Sequence, residues 1–315
     1  MLQQSKIIVT WILLLFFTLS KSFGQGVEEV DNEDPLIGYG EALIFGLVEG
    51  VTEFLPISST GHLILTNEWM FASTELTSAA EDAINAYLIV IQAGAILAVA
   101  LLYSRRITTI LLGFMGMDPV GRRLGINVLA AFAPAVALGP LLDEWIESFL
   151  FGAIPVSTAL ILGGLFMHWA EKRKRFHDGV NGDTGKKIED LKLKNALFIG
   201  FLQCVAMCPG TSRSMMTIVG GYFAGLTRGH AAEFSFLLGL VTLTAAAGYK
   251  ALTKGQSLVE KLDYGPMFFG CLIAGISAAF SVRWLVGYLS RHGLGLFVWY
   301  RISLGTIILM FYFVF

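Results

Sequence analysis

The chain is predicted to fold as an all-α polytopic membrane protein: six transmembrane helices plus two re-entrant broken-helix hairpins in inverted-topology repeats. Three observations carry this expectation. Of 315 residues, 55% are hydrophobic and 15% charged, against roughly a quarter charged in a soluble domain. Six stretches stay apolar for about 18 residues or more, enough to cross a ~30 Å hydrocarbon core as helix. They are apolar on every face, whereas strands of a membrane barrel would alternate. Two further segments, 41–66 and 195–226, are apolar yet carry Glu, Gln, Ser and Arg, and each is interrupted by a proline. The formal net charge of −2 identifies no partner by itself, and no nucleic acid is expected.

In chain order, residues 1–24 open with Lys6, an apolar run from Ile7 to Leu19, then Ser22 and Gly24 ahead of Gln25. That is the layout of a secretory signal peptide, with an uncleaved anchor helix as the other reading. Residues 25–40, with "GVEEVDNEDP", form an acidic extracytoplasmic lead-in. The membrane domain covers 41–315, with repeat one at about 41–170, a loop at 171–194 and repeat two at about 195–315. In repeat one the broken segment 41–66 precedes spans near 84–103, 124–143 and 151–170. In repeat two the broken segment 195–226 precedes spans near 231–252, 265–288 and 297–315. Arg105, Arg106, Arg122 and Arg123 follow the first span, and Lys172, Arg173, Lys174, Arg175, Lys186, Lys187, Lys192 and Lys194 follow the third, so those two loops are expected to be cytoplasmic. The "DEWIES" turn at 143–148 and the region 25–83 contain no Lys or Arg and are expected outside. The run "EKRKRFHDGVNGDTGKKIEDLKLK" reads as a solvated loop. Cys204, Cys208 and Cys271 lie in apolar context and read as small hydrophobes.

The two broken segments look like copies of one another. With a one-residue gap, Gly46, Glu49, Val51 and Pro56 match Gly200, Gln203, Val205 and Pro209, and a hydroxyl cluster follows each proline. Three spans follow each copy, so the second copy must enter the membrane inverted relative to the first, with the broken tips facing each other. Glu49 and Glu53 lie one helical turn apart and would be costly at membrane depth unless paired, hydrated or metal-bound. After Pro56, Ser58, Ser59 and Thr60 can open a helix whose free N–H groups form an anion site. His62 follows Ser59 by one turn, within reach of its hydroxyl. Gly210, Thr211, Ser212 and Ser214 form a second such turn around Arg213, whose guanidinium forks onto phosphate oxygens. A lone glutamate can serve merely as a counter-ion, and serines often bond back to their own helix. Five such groups in two matched broken segments favour chemistry over structure. Asp82, Gln92 and Asn127 read instead as helix contacts, and His168 and His230 as span-end residues near water.

"EGVTEFLPISSTGHLIL", "PGTSRS", "AAEFSFLL" and "YRISLG" together resemble the undecaprenyl-diphosphate phosphatase family, also called bacitracin resistance protein, over residues 40–315. The resemblance implies hydrolysis of undecaprenyl diphosphate to undecaprenyl phosphate and inorganic phosphate, which recycles the lipid carrier for peptidoglycan synthesis and confers bacitracin resistance. It implies a bacterial inner-membrane protein with its site open to the outer face, a divalent cation (Mg2+ or Ca2+), and membrane lipids and the polyprenyl substrate as partners, with a homodimer as the assembly to test. Carried onto matching positions, the essential groups are Glu49, Glu53, Ser59, His62 and Arg213, with Glu49 and Glu53 on the metal. Ser59 would attack the terminal phosphoryl group with His62 moving protons. Direct attack by water, with His62 or a glutamate as base, is the other mechanism. A polyprenyl-lipid transporter on the same repeats is the other class of function.

Overall fold

The computed structural model describes residues 37–71, 76–179, 183–259 and 263–314; the signal-peptide expectation and nearly all of the acidic lead-in lie outside them. Among the described residues the chain is helical, without a strand. The first broken segment gives α1 (Tyr39–Thr52) and α2 (Ser59–Met70), followed by α3 (Ser78–Leu102), α4 (Ser104–Phe114), α5 (Pro119–Leu150) and α6 (Ala153–Asp178). The second gives α7 (Leu193–Val205) and α8 (Arg213–Phe223), followed by α9 (Arg228–Val259), α10 (Tyr264–His292) and α11 (Gly295–Val314). Six helices are long and apolar enough to cross a membrane, at Ala83–Leu102, Pro119–Leu142, Ala153–Asp178, Arg228–Leu252, Tyr264–His292 and Gly295–Val314. Their outer faces expose side chains such as Leu97, Leu162, Leu272 and Phe280, the inverse of a water-soluble surface.

Four expectations are corrected. The "DEWIES" stretch is no turn, because α5 continues through it to Leu150 despite internal Pro134 and Pro140. A further helix, α4, occupies the first arginine-rich loop and packs on α5. The charged run after the third span is only partly solvated. α6 runs on to Asp178, and Glu171, Lys174 and Asp178 are buried, as are Ile188 and Leu191. Arg228, at the start of α9, binds Asp178 at 2.6 Å and Glu171 at 3.0 Å, while Lys174 binds Asp178 at 2.6 Å and Asp183 at 3.3 Å. Mutual neutralisation lets these charges lie inside, since an unpaired buried charge would be prohibitive. Arg106 of α4 reaches Glu189 at 2.7 Å and Glu233 at 2.6 Å, so both basic loops lie at one end of the bundle. Burial alone would raise the Glu189 carboxyl, but hydrogen bonds and the Arg106 charge hold it below the usual carboxylate range. Asn127, expected to make a helix contact, donates instead to the Leu191 carbonyl, in the connection before α7, at 2.8 Å.

The packing is reciprocal between the repeats. α1 lies on α10, the second span of repeat two, and α7 lies on α5, the second span of repeat one. The first spans, α3 and α9, pack on each other, as do the third spans, α6 and α11. The equivalent glycines show how tight the reciprocal contacts are. A Cβ at Gly46 would fall on the Gly270 carbonyl of α10, and one at Gly200 on the Ala131 carbonyl of α5. Without a hydrophobic force between helices in lipid, such backbone approach supplies the packing. The arrangement brings the breaks of both segments into the interior, where Phe54, Leu55 and Ile57 join Met215, Ile218 and Phe236 in the main core.

Candidate active site

The two breaks are built alike. Ser58 caps α2 and Ser212 caps α8, each with the left-handed φ (74° and 76°) that side-chain-bearing residues seldom adopt. Their hydroxyls accept from Gly61 N and Met215 N. Ser58 therefore corresponds to Ser212, and the same number of residues separates Ser58 from Glu49 as Ser212 from Gln203. The repeat aligns without the one-residue gap, which matched prolines that are not structurally equivalent. Ser59 and Arg213 become counterparts, each the first residue of its helix. Their N–H groups lie in the unpaired first turn that attracts anions.

Glu53 joins the two halves. The Ser59 hydroxyl donates to Glu53 Oε2, and Arg213 Nη2 donates to Glu53 Oε1 at 2.7 Å. The Arg213 guanidinium also lies over the Phe54 ring, 5.3 Å from its centroid. A Cβ at Gly239 of α9 would overlap that guanidinium, so the glycine gives Arg213 its room. The Ser214 hydroxyl donates to the Leu55 carbonyl at 2.6 Å, holding the start of α8 against the first break. Glu49, Glu53, Ser58 and His62 are buried, Ser59 is half-buried and Thr60 exposed, which leaves the nucleophile candidate reachable at the edge of a closed interior.

His62 does not meet the Ser59 hydroxyl. Its Nδ1 lies 2.6 Å from the Ser58 carbonyl, which can only accept, so Nδ1 carries the proton. Neutral Nε2 then accepts from the Tyr300 hydroxyl at 2.6 Å, with the two rings stacked at 7°. The Ser214 hydroxyl spends its proton on the Leu55 carbonyl and pairs with the Ser212 hydroxyl at 3.1 Å, whereas the Ser58 hydroxyl only accepts, from Gly61 N, and keeps its proton for a phosphate oxygen. Thr211 is buried, and the Gly210 carbonyl accepts from Arg301 at 2.8 Å.

Arg301 was not among the expected site residues, and Arg213 is therefore not the only cation at the breaks. Fully buried on α11, Arg301 also donates to the carbonyls of Ala159 at 3.2 Å and Pro56 at 3.4 Å. It thereby satisfies backbone oxygens in both breaks, as buried irregular chain requires. Gly210 (φ 87°) presses on the Val156 backbone and leaves no room for a Cβ. The available signals were Arg301 itself, a charge in an otherwise apolar span, and the motif "YRISLG", which opens with Tyr300 and Arg301.

The implied divalent ion can be weighed against the donors. Both Glu53 oxygens are engaged, whereas both Glu49 oxygens are buried with no hydrogen-bond partner among the described residues. A free carboxylate one turn from a second one suits a hard cation that takes its remaining oxygens from phosphate and water. No cluster of three or more His, Cys, Asp or Glu able to hold a metal occurs among the described residues, so the chain offers a partial shell.

Residues 42–307 match the family described as Bacitracin resistance protein BacA. The chain is 45% identical over 269 residues to "Undecaprenyl-diphosphatase 2" of Rhodospirillum rubrum, covering 85% of this chain and 93% of that protein. It is 41% identical over 278 residues to "Undecaprenyl-diphosphatase 2" of Shewanella oneidensis, covering 87% and 98%. It is 44% identical over 271 residues to "Undecaprenyl-diphosphatase 3" of Acinetobacter baylyi, covering 85% and 96%.

Proposed function

Because the chain belongs to the bacitracin resistance protein BacA family, we propose that it is an undecaprenyl-diphosphatase, a multi-pass membrane hydrolase that converts undecaprenyl diphosphate to undecaprenyl phosphate and inorganic phosphate. The observation that carries this reading is Glu53, which receives the Ser59 hydroxyl from its own repeat and the Arg213 guanidinium from the other. A lipid transporter on the same repeats has no need of a hydroxyl held on a carboxylate, and the relatives' names speak for hydrolysis. Detergent-purified protein, with no membrane to cross, is expected to release inorganic phosphate from undecaprenyl diphosphate. Intact substrate after prolonged incubation with folded protein would favour transport.

In the proposed reaction the Ser59 oxygen forms a bond to the terminal phosphorus as its proton passes to Glu53. The P–O bond to undecaprenyl phosphate breaks, and water later releases the phosphate from the serine. Arg213 and the first-turn N–H groups of α2 and α8 stabilise the phosphoryl oxygens, framed by Ser58, Thr60, Gly210, Thr211, Ser212 and Ser214. The His62–Tyr300 pair is the second proton-handling unit. Glu49, with Glu53 beside it, would hold a divalent ion (Mg2+ or Ca2+), which supplies charge neutralisation on the diphosphate. Glu49→Gln is expected to raise the metal concentration needed for half-maximal activity ~10-fold or more, an amide being a neutral ligand for a hard cation. An unchanged metal titration would return Glu49 to a structural role.

The site is proposed to open to the periplasmic face of the inner membrane, with the broken segments re-entrant. Support comes from the two arginine- and lysine-rich loops that Arg106 and Glu189 tie together at one end, which the charge bias places in the cytoplasm. A phosphatase reporter fused after Phe315 should be active, and one inserted within 176–190 inactive. The reverse pattern would overturn the topology. A homodimer is the assembly to test by light scattering.

A further inference from the structure

At the other end of α8 from Arg213, about 14 Å along its axis, lies a cavity that the phosphatase reading does not use. Its volume is about 490 Å³, within the ~300–1,000 Å³ typical of small-ligand sites. Trp169, Phe198 and Phe223 form its apolar wall, and Arg173, Lys174 and His177 its basic side. Tyr222 also lines it, and the buried Tyr222 hydroxyl has no hydrogen-bond partner among the described residues.

The charge balance says which ligand suits it. Lys174 is committed to Asp178 and Asp183, and Arg228 to Glu171 and Asp178. Arg173 makes no ion pair among the described residues, and its guanidinium lies 5.9 Å from the ring centroids of both Trp169 and Phe223. The surplus charge is positive and anchored by aromatic rings. The depth says which molecule carries the anion. Along α6 the exposed surface runs from Leu162 and Leu165 through Trp169 to Lys172, Arg173 and Arg175. This apolar-to-basic transition through a tryptophan marks the membrane–water boundary. A phosphodiester at this level, with acyl chains running down the apolar wall, suits both the basic and the aromatic side of the cavity.

We propose that this cavity binds the headgroup of an anionic glycerophospholipid. The phosphodiester is held by the Arg173 guanidinium, and the glycerol backbone lies against Trp169 and Phe223. Basic pockets between membrane helices on the cytoplasmic side suit such headgroups, and this one is distinct from the catalytic breaks.

The test uses the full-length protein in nanodiscs of phosphatidylcholine doped with chain-brominated phosphatidylglycerol, reading quenching of tryptophan fluorescence. Brominated phosphatidylglycerol is expected to quench at concentrations where brominated phosphatidylcholine does not, and Trp169→Phe should abolish the difference. Arg173→Gln should weaken the lipid dependence ~10-fold, given the strength of charge-assisted hydrogen bonds. Lys172→Gln, which removes the same charge one residue away on an exposed side chain, should leave it unchanged. Phosphate release in phosphatidylcholine alone should be the same for wild type and Arg173→Gln, which reports that the variant is folded. Equal quenching by both lipids, or an equal effect of Lys172→Gln and Arg173→Gln, would overturn the proposal. Displacement of the lipid by millimolar inorganic phosphate would also overturn it, in favour of a free-anion site.

Discussion

Ser59→Ala is expected to lower phosphate release by at least ~10³-fold, the scale seen when a nucleophile acting with its base is removed. The substitution takes away one oxygen and adds no bulk. The start of α2 should survive it, because the cap comes from Ser58, whose hydroxyl accepts from Gly61 N. The variant should therefore still bind undecaprenyl diphosphate, and wild-type protein quenched in acid during turnover should carry phosphate on Ser59. A loss of only a few-fold, with no trapped phosphoserine, would favour direct attack by water activated at Glu53, with Ser59 as a ligand to the phosphate.

The pairing of Ser59 with Glu53 shows where sequence reasoning reached and where it stopped. The six spans were legible because length and apolarity decide them, and their boundaries moved only where charged or proline-containing helix continued, as at 143–150 in α5 and 171–178 in α6. The candidate residues were legible because polar groups within apolar membrane sequence must have a reason, and two look-alike broken segments pointed to one meeting place. Side-chain pairing within that place was not legible. Helical spacing offered His62 to Ser59, but Ser58 turns with φ 74°, and the imidazole is drawn to its carbonyl and to Tyr300, far along the chain. Arg301 was missed for the same reason. The carbonyls it satisfies, at Pro56, Ala159 and Gly210, converge only in three dimensions. The buried ion network of α6 and α9 was hidden because alternating charges read the same whether solvated or mutually paired.

Glu53→Gln carries the other large expected effect, and its comparison with Arg213→Lys tests the coupling between the repeats. As a carboxylate Glu53 accepts from Ser59 on one oxygen and from Arg213 on the other. An amide cannot take up the serine proton, so loss of the base should lower kcat/KM by at least ~10²- to 10³-fold. Arg213→Lys keeps the charge and loses the planar fork, and should cost ~10-fold, about 1.4 kcal/mol. The two costs should not add. When Glu53 is protonated by Ser59 its hold on Arg213 weakens, and the guanidinium becomes free to follow the charge that develops on the phosphoryl oxygens. Nucleophile activation and transition-state clamping are then one event. In the double variant the Arg213→Lys penalty should shrink, because the carboxylate whose neutralisation released the guanidinium is gone, leaving a coupling energy of at least ~0.5 kcal/mol. Strictly additive losses would mean that Glu53 and Arg213 act independently, and the ion pair between the two breaks would then be a structural counter-charge with no part in the timing of the reaction.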